Sequence, residues 1–320
     1  MEPLKAAVIG VGYLGKFHAE KYAAMDGVTL VGVADTDRAA ADAVAQKLGT
    51  RAFYRYEDLL GQVDAVSIVV PTPAHYRVAM DFLRHDTDVL IEKPMTTTLA
   101  EADDLIGVSE ERGLLIQVGH LERFNPAVVA LQDIVTVPKF IESHRLSVFK
   151  ERCTDVSVVL DLMIHDIDII LNFVRSEVTH IHAAGIPVIS KNVDIANARL
   201  EFATGCVANV TASRISMRNE RKIRLFQRDA YISMDFANHG ITVVRQTGDA
   251  KPDGCIIPGM DIQEIQMEQG DALDDEVRAF VGAVRNRRVP AVTGQMGRDA
   301  LNIALSIMDQ IQKTSFRGAV

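Results

Sequence analysis

Glu92-Lys93-Pro94 is a short motif whose position in the chain suits proton transfer. It follows an apolar run typical of a strand, downstream of a glycine-rich turn. Because proline lacks an amide hydrogen and disfavours a helical backbone at the preceding residue, we expect Lys93 to be extended, with its side chain held in one direction. A lysine becomes a useful acid or base when a dry site or a neighbouring positive charge lowers its pKa. Taken alone the motif is more often a surface turn, so the surrounding motifs must decide.

A second set of polar residues lies in the most apolar part of the chain, residues 156–174. Asp161, His165, Asp168 and Asn172 follow one another at intervals that predict one continuous stripe on a helix. Burying such groups unpaired is costly, so they either satisfy one another in a core or line a polar cleft. An imidazole one turn from a carboxylate suits a general base or a hydroxyl-orienting group, which makes His165 and Asp161 candidate catalytic residues. Metal ligation lacks partner residues at recognised spacing, and no metal is predicted.

A nucleotide-binding turn is predicted near the start of the chain. Gly10-Val11-Gly12-Tyr13-Leu14-Gly15 follows a short apolar strand and precedes a helical pattern. The glycines allow a sharp turn and a close approach to a pyrophosphate, which binds free N–H groups at the helix N terminus. Asp35 ends the next strand, where a carboxylate can bind ribose hydroxyls. The predicted cofactor-binding residues in this region are Gly10, Gly12, Tyr13, Leu14, Gly15 and Asp35.

Asp35 also bears on the choice of cofactor. A carboxylate at that position repels the 2′-phosphate of NADP and accepts hydrogen bonds from a free ribose, which favours NAD over NADP. Arg38 lies close enough in sequence to weaken this preference, although its simplest role is that of a solvated residue on the next helix.

Strands and helices alternate regularly up to about residue 120, which predicts a doubly wound parallel sheet and hence an α/β fold. The predicted strands cover residues 6–9, 29–34, 65–70, 89–91 and 114–118. Ligands of such sheets bind at the carboxyl ends of the strands, so the residues that follow the strands are candidates for the nicotinamide pocket. These candidates are Thr72, Pro73, His75, Glu92 and Lys93. For His75 itself, a position at the start of a helix is the simpler interpretation.

Beyond residue 120 the pattern changes to short strands with flanking helices, which predicts an α+β domain with a largely antiparallel open sheet. We therefore expect a Rossmann domain at residues 1–120 and a substrate-binding and oligomerisation domain at residues 121–320. The exposed face of an open sheet needs covering, which predicts a homo-oligomer, either a dimer or a tetramer. Among the basic residues of this region, Arg214 is a candidate contact for a diphosphate, whereas a solvated strand and turn explains most of the others.

Composition limits the function classes. The chain has 320 residues, of which 48% are hydrophobic, and a net charge of −9, which fits a soluble two-domain enzyme and argues against a dedicated nucleic-acid binder. Residues 156–174 contain charged side chains and fail as a membrane span, and no secretory signal precedes the first strand. The cysteines Cys153, Cys206 and Cys255 form neither an even disulfide framework nor a zinc pattern. We expect a cytoplasmic protein with a small-molecule substrate and without nucleic-acid or membrane partners.

Four motifs in order give the chain a resemblance to the glucose–fructose oxidoreductase/inositol dehydrogenase/rhizopine catabolism (Gfo/Idh/MocA) family over essentially its full length. They are Gly10-x-Gly12-x-x-Gly15 with His18, Thr72-Pro73 with His75, Glu92-Lys93-Pro94, and Asp161-x-x-x-His165-Asp166. The resemblance implies NAD(P) in the first domain and a substrate on the open sheet of the second. It also implies that Lys93 is catalytic and that Asp161 and His165 lie in the sugar site.

Three further stretches resemble the nucleotide-sugar branch of this family, particularly its UDP-N-acetylglucosamine 3-dehydrogenases. They are Gly119–Pro126, Asp161–Asp168 and Thr211–Arg214. The resemblance implies oxidation of the sugar C3 hydroxyl to a ketone, with the 3-keto product passed to an aminotransferase and, in some bacteria, to lipid A made with a diamino sugar. Arg123 and Asn125 are expected to line the sugar or diphosphate entrance.

Several alternatives stay open at this point. Lys93 and His165 are both candidates for the base that removes the hydroxyl proton. A dehydrogenase of free sugars or inositols in the same family would not require a UDP group. A non-catalytic NAD-binding sensor or regulator would have no evident use for either residue, and a methyltransferase that binds S-adenosylmethionine would match the glycine turn only.

Overall fold

The computed structural model describes residues 2–149, 156–246, 259–268 and 270–317. Cys153 and Cys255 lie outside the described residues. The backbone divides into two compact units, of which the first contains Met1–Phe124 and Asp271–Leu301 and the second contains Asn125–Gly270 and Asn302–Val320.

The first unit contains a parallel sheet covered by helices. Its elements in chain order are β1 (Leu4–Ile9), α1 (Gly15–Ala24), β2 (Val28–Ala34), α2 (Arg38–Leu48), β3 (Arg51–Phe53), β4 (Ala65–Ile68), α3 (His75–Arg84), β5 (Asp88–Glu92), α4 (Leu99–Arg112), β6 (Ile116–Gly119) and α7 (Ala272–Asn286). The strand order is β3-β2-β1-β4-β5-β6, and every pair is parallel. This is the doubly wound sheet that the sequence predicts, with its topological switch point between β1 and β4.

Residues 271–301 belong to the first unit, whereas the expected division placed everything after residue 120 in the second domain. The helix α7 begins at an N-cap, Asp271, whose side chain accepts a hydrogen bond from the Asp274 amide. Its apolar residues Val277 and Phe280 are fully buried in one core cluster with β1. The apolar face of α7 therefore completes the core of the first unit, although it follows the second unit's strands in sequence.

The second unit contains an eight-stranded sheet. Its elements in chain order are α5 (Pro126–Leu131), β7 (Pro138–Leu146), α6 (Ile164–Val174), β8 (Val178–Ile186), β9 (Ile195–Phe202), β10 (Val207–Ser213), β11 (Glu220–Gln227), β12 (Ala230–Asp235), β13 (Gly240–Gln246) and β14 (Met260–Gln266). The order is β14-β13-β12-β11-β7-β10-β9-β8, in which only β7 and β10 pair in parallel. The last helix, α8 (Gly294–Arg317), begins in residues counted with the first unit and ends in those counted with the second.

One face of this sheet is buried and the other is partly exposed. In β9 and β10 the residues alternate, and the buried set is Ala196, Ala198, Leu200, Ala208, Val210 and Ala212. The side chains of Phe140, Phe226 and Tyr231, which are only partly buried, form an aromatic row with ring centres 5.6 Å and 5.0 Å apart. The two faces agree with the predicted open sheet.

The apolar segment before β8 is not the single α-helix that the sequence predicts. Val159–Met163 form a π-helical turn, and α6 starts only at Ile164. A π turn has more residues per turn than an α-helix, so the α-helical period behind the expected stripe does not apply between Asp161 and His165. Asp168 is buried, whereas His165 is half-buried. Among the described residues, no helix has the length and apolar content that a membrane span requires.

Candidate functional site

The glycine-rich turn connects β1 to α1, and its three glycines have different surroundings. Gly10 has a φ of +87°, and a Cβ there would lie 2.6 Å from the carbonyl oxygen of Val69. A Cβ on Gly15 would lie 1.9 Å from the carbonyl oxygen of Gly10. A Cβ on Gly12 would meet nothing within 4 Å. Gly10 and Gly15 are therefore required by packing, whereas the open space at Gly12 suits the close approach of a pyrophosphate.

Asp35 connects the end of β2 to this turn. Its carboxylate accepts hydrogen bonds from the amides of Val11 at 2.8 Å and Asp37 at 2.9 Å. A carboxylate offers about four acceptor positions, so capacity for ribose hydroxyls is left. The guanidinium of Arg38 stacks on the ring of Tyr54 at 4.6 Å, as a side chain on the surface of α2. The charge that faces the turn from the end of β2 is therefore the carboxylate of Asp35.

Two predicted cofactor residues flank the glycines at the start of α1. Tyr13 is 71% exposed, and the ammonium of Lys16 lies 5.6 Å from its ring centre. Leu14 is the N-cap residue of α1 and makes no side-chain capping bond. The exposed ring of Tyr13 also packs edge-on against Phe17, with ring centres 6.1 Å apart, and its contact with the cofactor stays a prediction.

The residues after β4 form a short 3₁₀ turn that contains Thr72 and Pro73. His75 follows at the start of α3 and is buried, with Nδ1 3.0 Å from the carbonyl oxygen of Pro94 and Nε2 2.7 Å from that of Val70. Burial lowers the pKa of His75, although hydrogen bonds to these carbonyls oppose that effect. His75 therefore ties the turn after β4 to the turn after β5.

Glu92 and Lys93 lie at the end of β5. The Lys93–Pro94 peptide bond is cis, and the Lys93 side chain is half-buried. One carboxylate oxygen of Glu92 lies 3.3 Å from the Lys93 amide nitrogen, and the other lies 3.2 Å from Nε2 of His18. Glu92, predicted to contact the cofactor, thus binds groups within the first unit and fixes the backbone that carries Lys93.

In the second unit, Asp161 lies on the π-helical turn and His165 is the second residue of α6, both half-buried. The neighbouring Asp166 is buried and forms an ion pair with the buried Arg145 of β7. The Arg145 guanidinium also lies 5.3 Å from the ring centre of Phe236. This pair anchors the first turn of α6 to the sheet and so fixes the backbone on either side of His165.

The other predicted substrate residues are nearly buried. Arg123 lies in a 3₁₀ turn of the first unit, whereas Asn125, at the start of the second, caps α5 by accepting a hydrogen bond from the Ala127 amide at 3.0 Å. Arg214 follows β10 and donates to the carbonyl oxygen of Val156 at 2.6 Å. These contacts give Asn125 and Arg214 a structural role, and their part in sugar or diphosphate binding stays a prediction.

Arg214 also approaches Asp194, a buried carboxylate that shapes the loop between β8 and β9. The Arg214 Nε lies 4.0 Å from Asp194. Burial alone would raise the pKa of Asp194, but hydrogen bonds from the Ser190 hydroxyl and from the amides of residues 188–190 lower it to about 2. These hydrogen bonds favour the charged form of Asp194 and organise its loop.

His18, predicted only as part of the glycine motif, contacts residues from distant parts of the chain. His18 Nδ1 lies 3.2 Å from the Ser67 hydroxyl, which lies 2.9 Å from the Tyr22 hydroxyl, and all three are buried. Glu276 of α7 is also buried and close to His18 and Glu92. The sequence contains one signal for this cluster, because Glu276 is an acidic residue on the apolar face of α7, beside Leu273 and Val277.

Comparison with known proteins identifies matches to both parts of the chain. Residues 4–120 match the family described as "Oxidoreductase family, NAD-binding Rossmann fold". Residues 142–246 match the "GFO/IDH/MocA C-terminal domain".

Individual relatives match over most of their length. UDP-N-acetylglucosamine 3-dehydrogenase of Acidithiobacillus ferrooxidans is 38% identical over 305 residues, covering 95% of this chain and 96% of that protein. A solved structure of that enzyme superposes with a TM-score of 0.92, covering 98% of this chain and 99% of the other. The scyllo-inositol 2-dehydrogenase (NAD(+)) of Bacillus subtilis is 27% identical, covering 91% of this chain and 89% of that protein.

These matches cover both units and agree with the doubly wound sheet, the glycine-rich turn and the second, mostly antiparallel sheet. The predicted resemblance is confirmed, and the chain is an oxidoreductase with an NAD-binding Rossmann fold. It belongs to the Gfo/Idh/MocA family.

Proposed function

We propose that this protein is an NAD-dependent dehydrogenase that oxidises the C3 hydroxyl of UDP-N-acetylglucosamine to a ketone. The observation that carries the proposal is the similarity to the Acidithiobacillus enzyme along nearly the whole of both chains. The 3-keto sugar would be a substrate for an aminotransferase, and the diamino sugar that results would serve lipid A biosynthesis.

The residues of the first unit fit a dinucleotide. The open space at Gly12 and the helix N terminus at Gly15 suit the pyrophosphate, and Asp35 suits the adenosine ribose. The carboxylate of Asp35 supports NAD rather than NADP because it would repel a 2′-phosphate. When bound, NAD accepts the hydride from the sugar carbon. Thr72, Pro73 and the half-buried Lys93 are proposed to face its nicotinamide end.

Lys93 and His165 are the candidates for the group that takes the hydroxyl proton, since each is half-buried and is held by a fixed backbone. Asp161 is proposed to orient His165 or a neighbouring hydroxyl. Arg123, Asn125 and Arg214 are proposed for the sugar and diphosphate.

A dehydrogenase of free inositols is the second candidate, because a scyllo-inositol 2-dehydrogenase also matches the chain over 91% of its length. The two functions differ in whether the UDP group is required. A protein that binds NAD without turning over any of these substrates would be a sensor rather than an enzyme.

We also propose that the protein self-associates in the cytoplasm as a dimer or tetramer. The partly exposed aromatic row of Phe140, Phe226 and Tyr231 supplies an apolar surface on the open face of the sheet. Cys206 is buried, and burial raises the pKa of its thiol to about 11, which suits an unreactive cysteine in a reducing compartment. Light scattering of the purified protein measures the oligomer directly.

NADH absorbance tests the proposed reaction. The purified protein is mixed with NAD and UDP-N-acetylglucosamine, and an aminotransferase with glutamate is added to remove a ketone whose formation is unfavourable. N-acetylglucosamine without the nucleotide and the inositols serve as comparison substrates. NADH formation that requires the UDP group supports the proposal. Turnover of free inositol alone would replace it with the second candidate, and tight NAD binding without any turnover would favour the sensor.

A further inference from the structure

Three ionisable side chains meet in the interior of the first unit. They are His18 from α1, Glu92 from the end of β5 and Glu276 from α7, and one polar atom from each lies within 4.8 Å of the others. His18 and Glu276 are 0% exposed and Glu92 is 8% exposed. The cluster therefore lies in a dry environment, directly before the proposed catalytic residue Lys93.

The polar atoms of His18 and Glu92 have partners. His18 faces Glu92 with one ring nitrogen and Ser67 with the other, and Glu92 also faces the amide of Lys93. Among the residues that the structure describes, no group donates a hydrogen bond to either carboxyl oxygen of Glu276. The fold therefore places groups that can donate hydrogen bonds against the Glu92 carboxyl group and none against that of Glu276.

Two carboxylates this close cannot both ionise without a large cost in a dry interior. Burial of Glu276 and the neighbouring Glu92 raise the pKa of Glu276 well above its usual range. Glu276 is therefore the carboxyl group of the cluster whose protonated form the fold favours.

The position of the Glu92 carboxyl group is tightly limited. A Cβ on Gly119 would lie 2.8 Å from the carboxyl carbon of Glu92, so this group packs directly on the β6 backbone. His18 and the Lys93 amide bind its two oxygens from other directions. Glu276 is the third ionisable group that borders it, and α7 holds Glu276 in place through its buried apolar face.

We propose that Glu276 is a positioning residue: it is a neutral carboxylic acid that donates a hydrogen bond to the Glu92 carboxylate and thereby fixes the Lys93 backbone. The inference rests on the proposed role of Lys93, because a fixed backbone matters most where a side chain must meet a reacting atom. A divalent cation held by the same three side chains would also neutralise them. Replacement of Glu276 by glutamine separates the two, since an amide resembles a neutral acid in shape and in donating a hydrogen bond but binds a cation poorly.

The test uses Glu276→Gln, Glu276→Ala and, as a matched control, Asp275→Asn at the exposed neighbouring position of α7. We expect Glu276→Gln and Asp275→Asn to keep the kcat of the wild type. We expect Glu276→Ala to lower kcat by about 10- to 100-fold while its Kd for NAD stays unchanged, because only Lys93 is displaced. Equal damage from the glutamine and alanine variants would overturn the inference, as would one equivalent of bound metal in the wild type.

An infrared difference spectrum tests the proton itself and requires no sugar substrate. At neutral pH, wild type minus Glu276→Gln should show the C=O stretch of a protonated carboxylic acid. Wild type minus Asp275→Asn should show carboxylate bands and no such acid band, and the new side-chain amide contributes to both spectra. Absence of the acid band would sink the inference even if UDP-N-acetylglucosamine is the substrate. Its presence would support Glu276 as a neutral acid even if the substrate is a different one. If Glu276→Ala fails to fold, the kcat of Glu276→Gln and the infrared difference spectrum still test the inference.

Discussion

Arg145 and Asp166 form a two-point ion pair in the interior of the second unit. Nε and one terminal nitrogen of the guanidinium each lie 3.0 Å from a different carboxylate oxygen. The side chains are only 4% and 1% exposed. Since Asp166 directly follows His165, the pair sets where α6 begins on the sheet.

Replacing Asp166 with Asn should lower the free energy of unfolding by about 3–5 kcal/mol, because the guanidinium of Arg145 then stays buried without its counter-charge. Urea titration measures the change. As a control, Arg199→Met breaks an exposed pair with Glu201 and should cost less than about 1 kcal/mol. Similar losses of unfolding free energy in both variants would show that the buried ion pair contributes no more to stability than the exposed one.

Gly12→Ala and Gly15→Ala should separate cofactor binding from folding. The alanine methyl group has open space at position 12, so we expect an unchanged melting temperature and a large loss of NAD affinity. At position 15 the methyl group would overlap the Gly10 carbonyl, so both stability and affinity should fall. Thermal melting and NADH fluorescence titration measure the two quantities. A Gly12→Ala protein that binds NAD normally would contradict a pyrophosphate at this turn.

Asp35→Asn should change the preference between cofactors. Loss of the charge weakens the bonds to a free ribose, which we expect to reduce NAD affinity by about 10-fold, and it removes the repulsion of a 2′-phosphate. The ratio of the Kd values for NADH and NADPH, from fluorescence titration, reports the effect. Asp42→Asn, at an exposed position of α2, is the control. An unchanged ratio in Asp35→Asn would leave the preference for NAD without its proposed cause.

Lys93→Met should keep NAD binding and lose catalysis. A methionine side chain has similar length but cannot move a proton, so turnover should fall by about 100-fold or more. Lys47→Met removes an exposed lysine of α2 that pairs with Glu20, and it should leave turnover unchanged. Steady-state NADH formation provides the comparison. Normal turnover of the Lys93 variant would exclude it from the chemistry and leave His165 as the candidate base.

Glu276 should make the protein less stable as the pH rises. Because the fold raises the pKa of Glu276, the folded chain keeps a proton that the unfolded chain releases above about pH 4.5. The stability linked to this proton is complete below that pH and is lost progressively as the pH rises towards the folded pKa. The free energy of unfolding of Glu276→Gln relative to wild type should therefore increase between about pH 5 and pH 8. A difference that is constant or decreases over this range would contradict the assignment.

The parallel, doubly wound sheet and the turn at Gly10 could be predicted because each depends on local sequence. Apolar strands alternate with helices there, and glycines mark the turn that connects β1 to α1. Lys93 was placed correctly after a strand for the same reason. The short β3 and the helix α4 were missed, although the capping box of α4, formed by Thr98 and Glu101, was a readable signal.

The parts that sequence analysis could not supply depend on contacts between distant residues. The apolar face of α7 shows that this helix packs against a core, but its periodicity is the same whichever core that is. Glu276 on that face could be recognised as unusual, whereas its neighbours His18 and Glu92 come from distant segments of the chain. The prediction of one α-helix over residues 156–174 was wrong, because the segment was read with an α-helical period and Val159–Met163 form a π turn.

The late position of α7 in the chain has a consequence during synthesis. When residue 124 has been made, all six strands of the parallel sheet exist, but Val277 and Phe280, which share a core with Ala6 and Val8, do not. At about 5–20 residues per second, the ribosome needs roughly 10–30 s more to deliver this helix. During that interval the apolar surface that α7 covers in the finished protein has no α7 to cover it, which is the kind of exposure that promotes aggregation of incomplete chains.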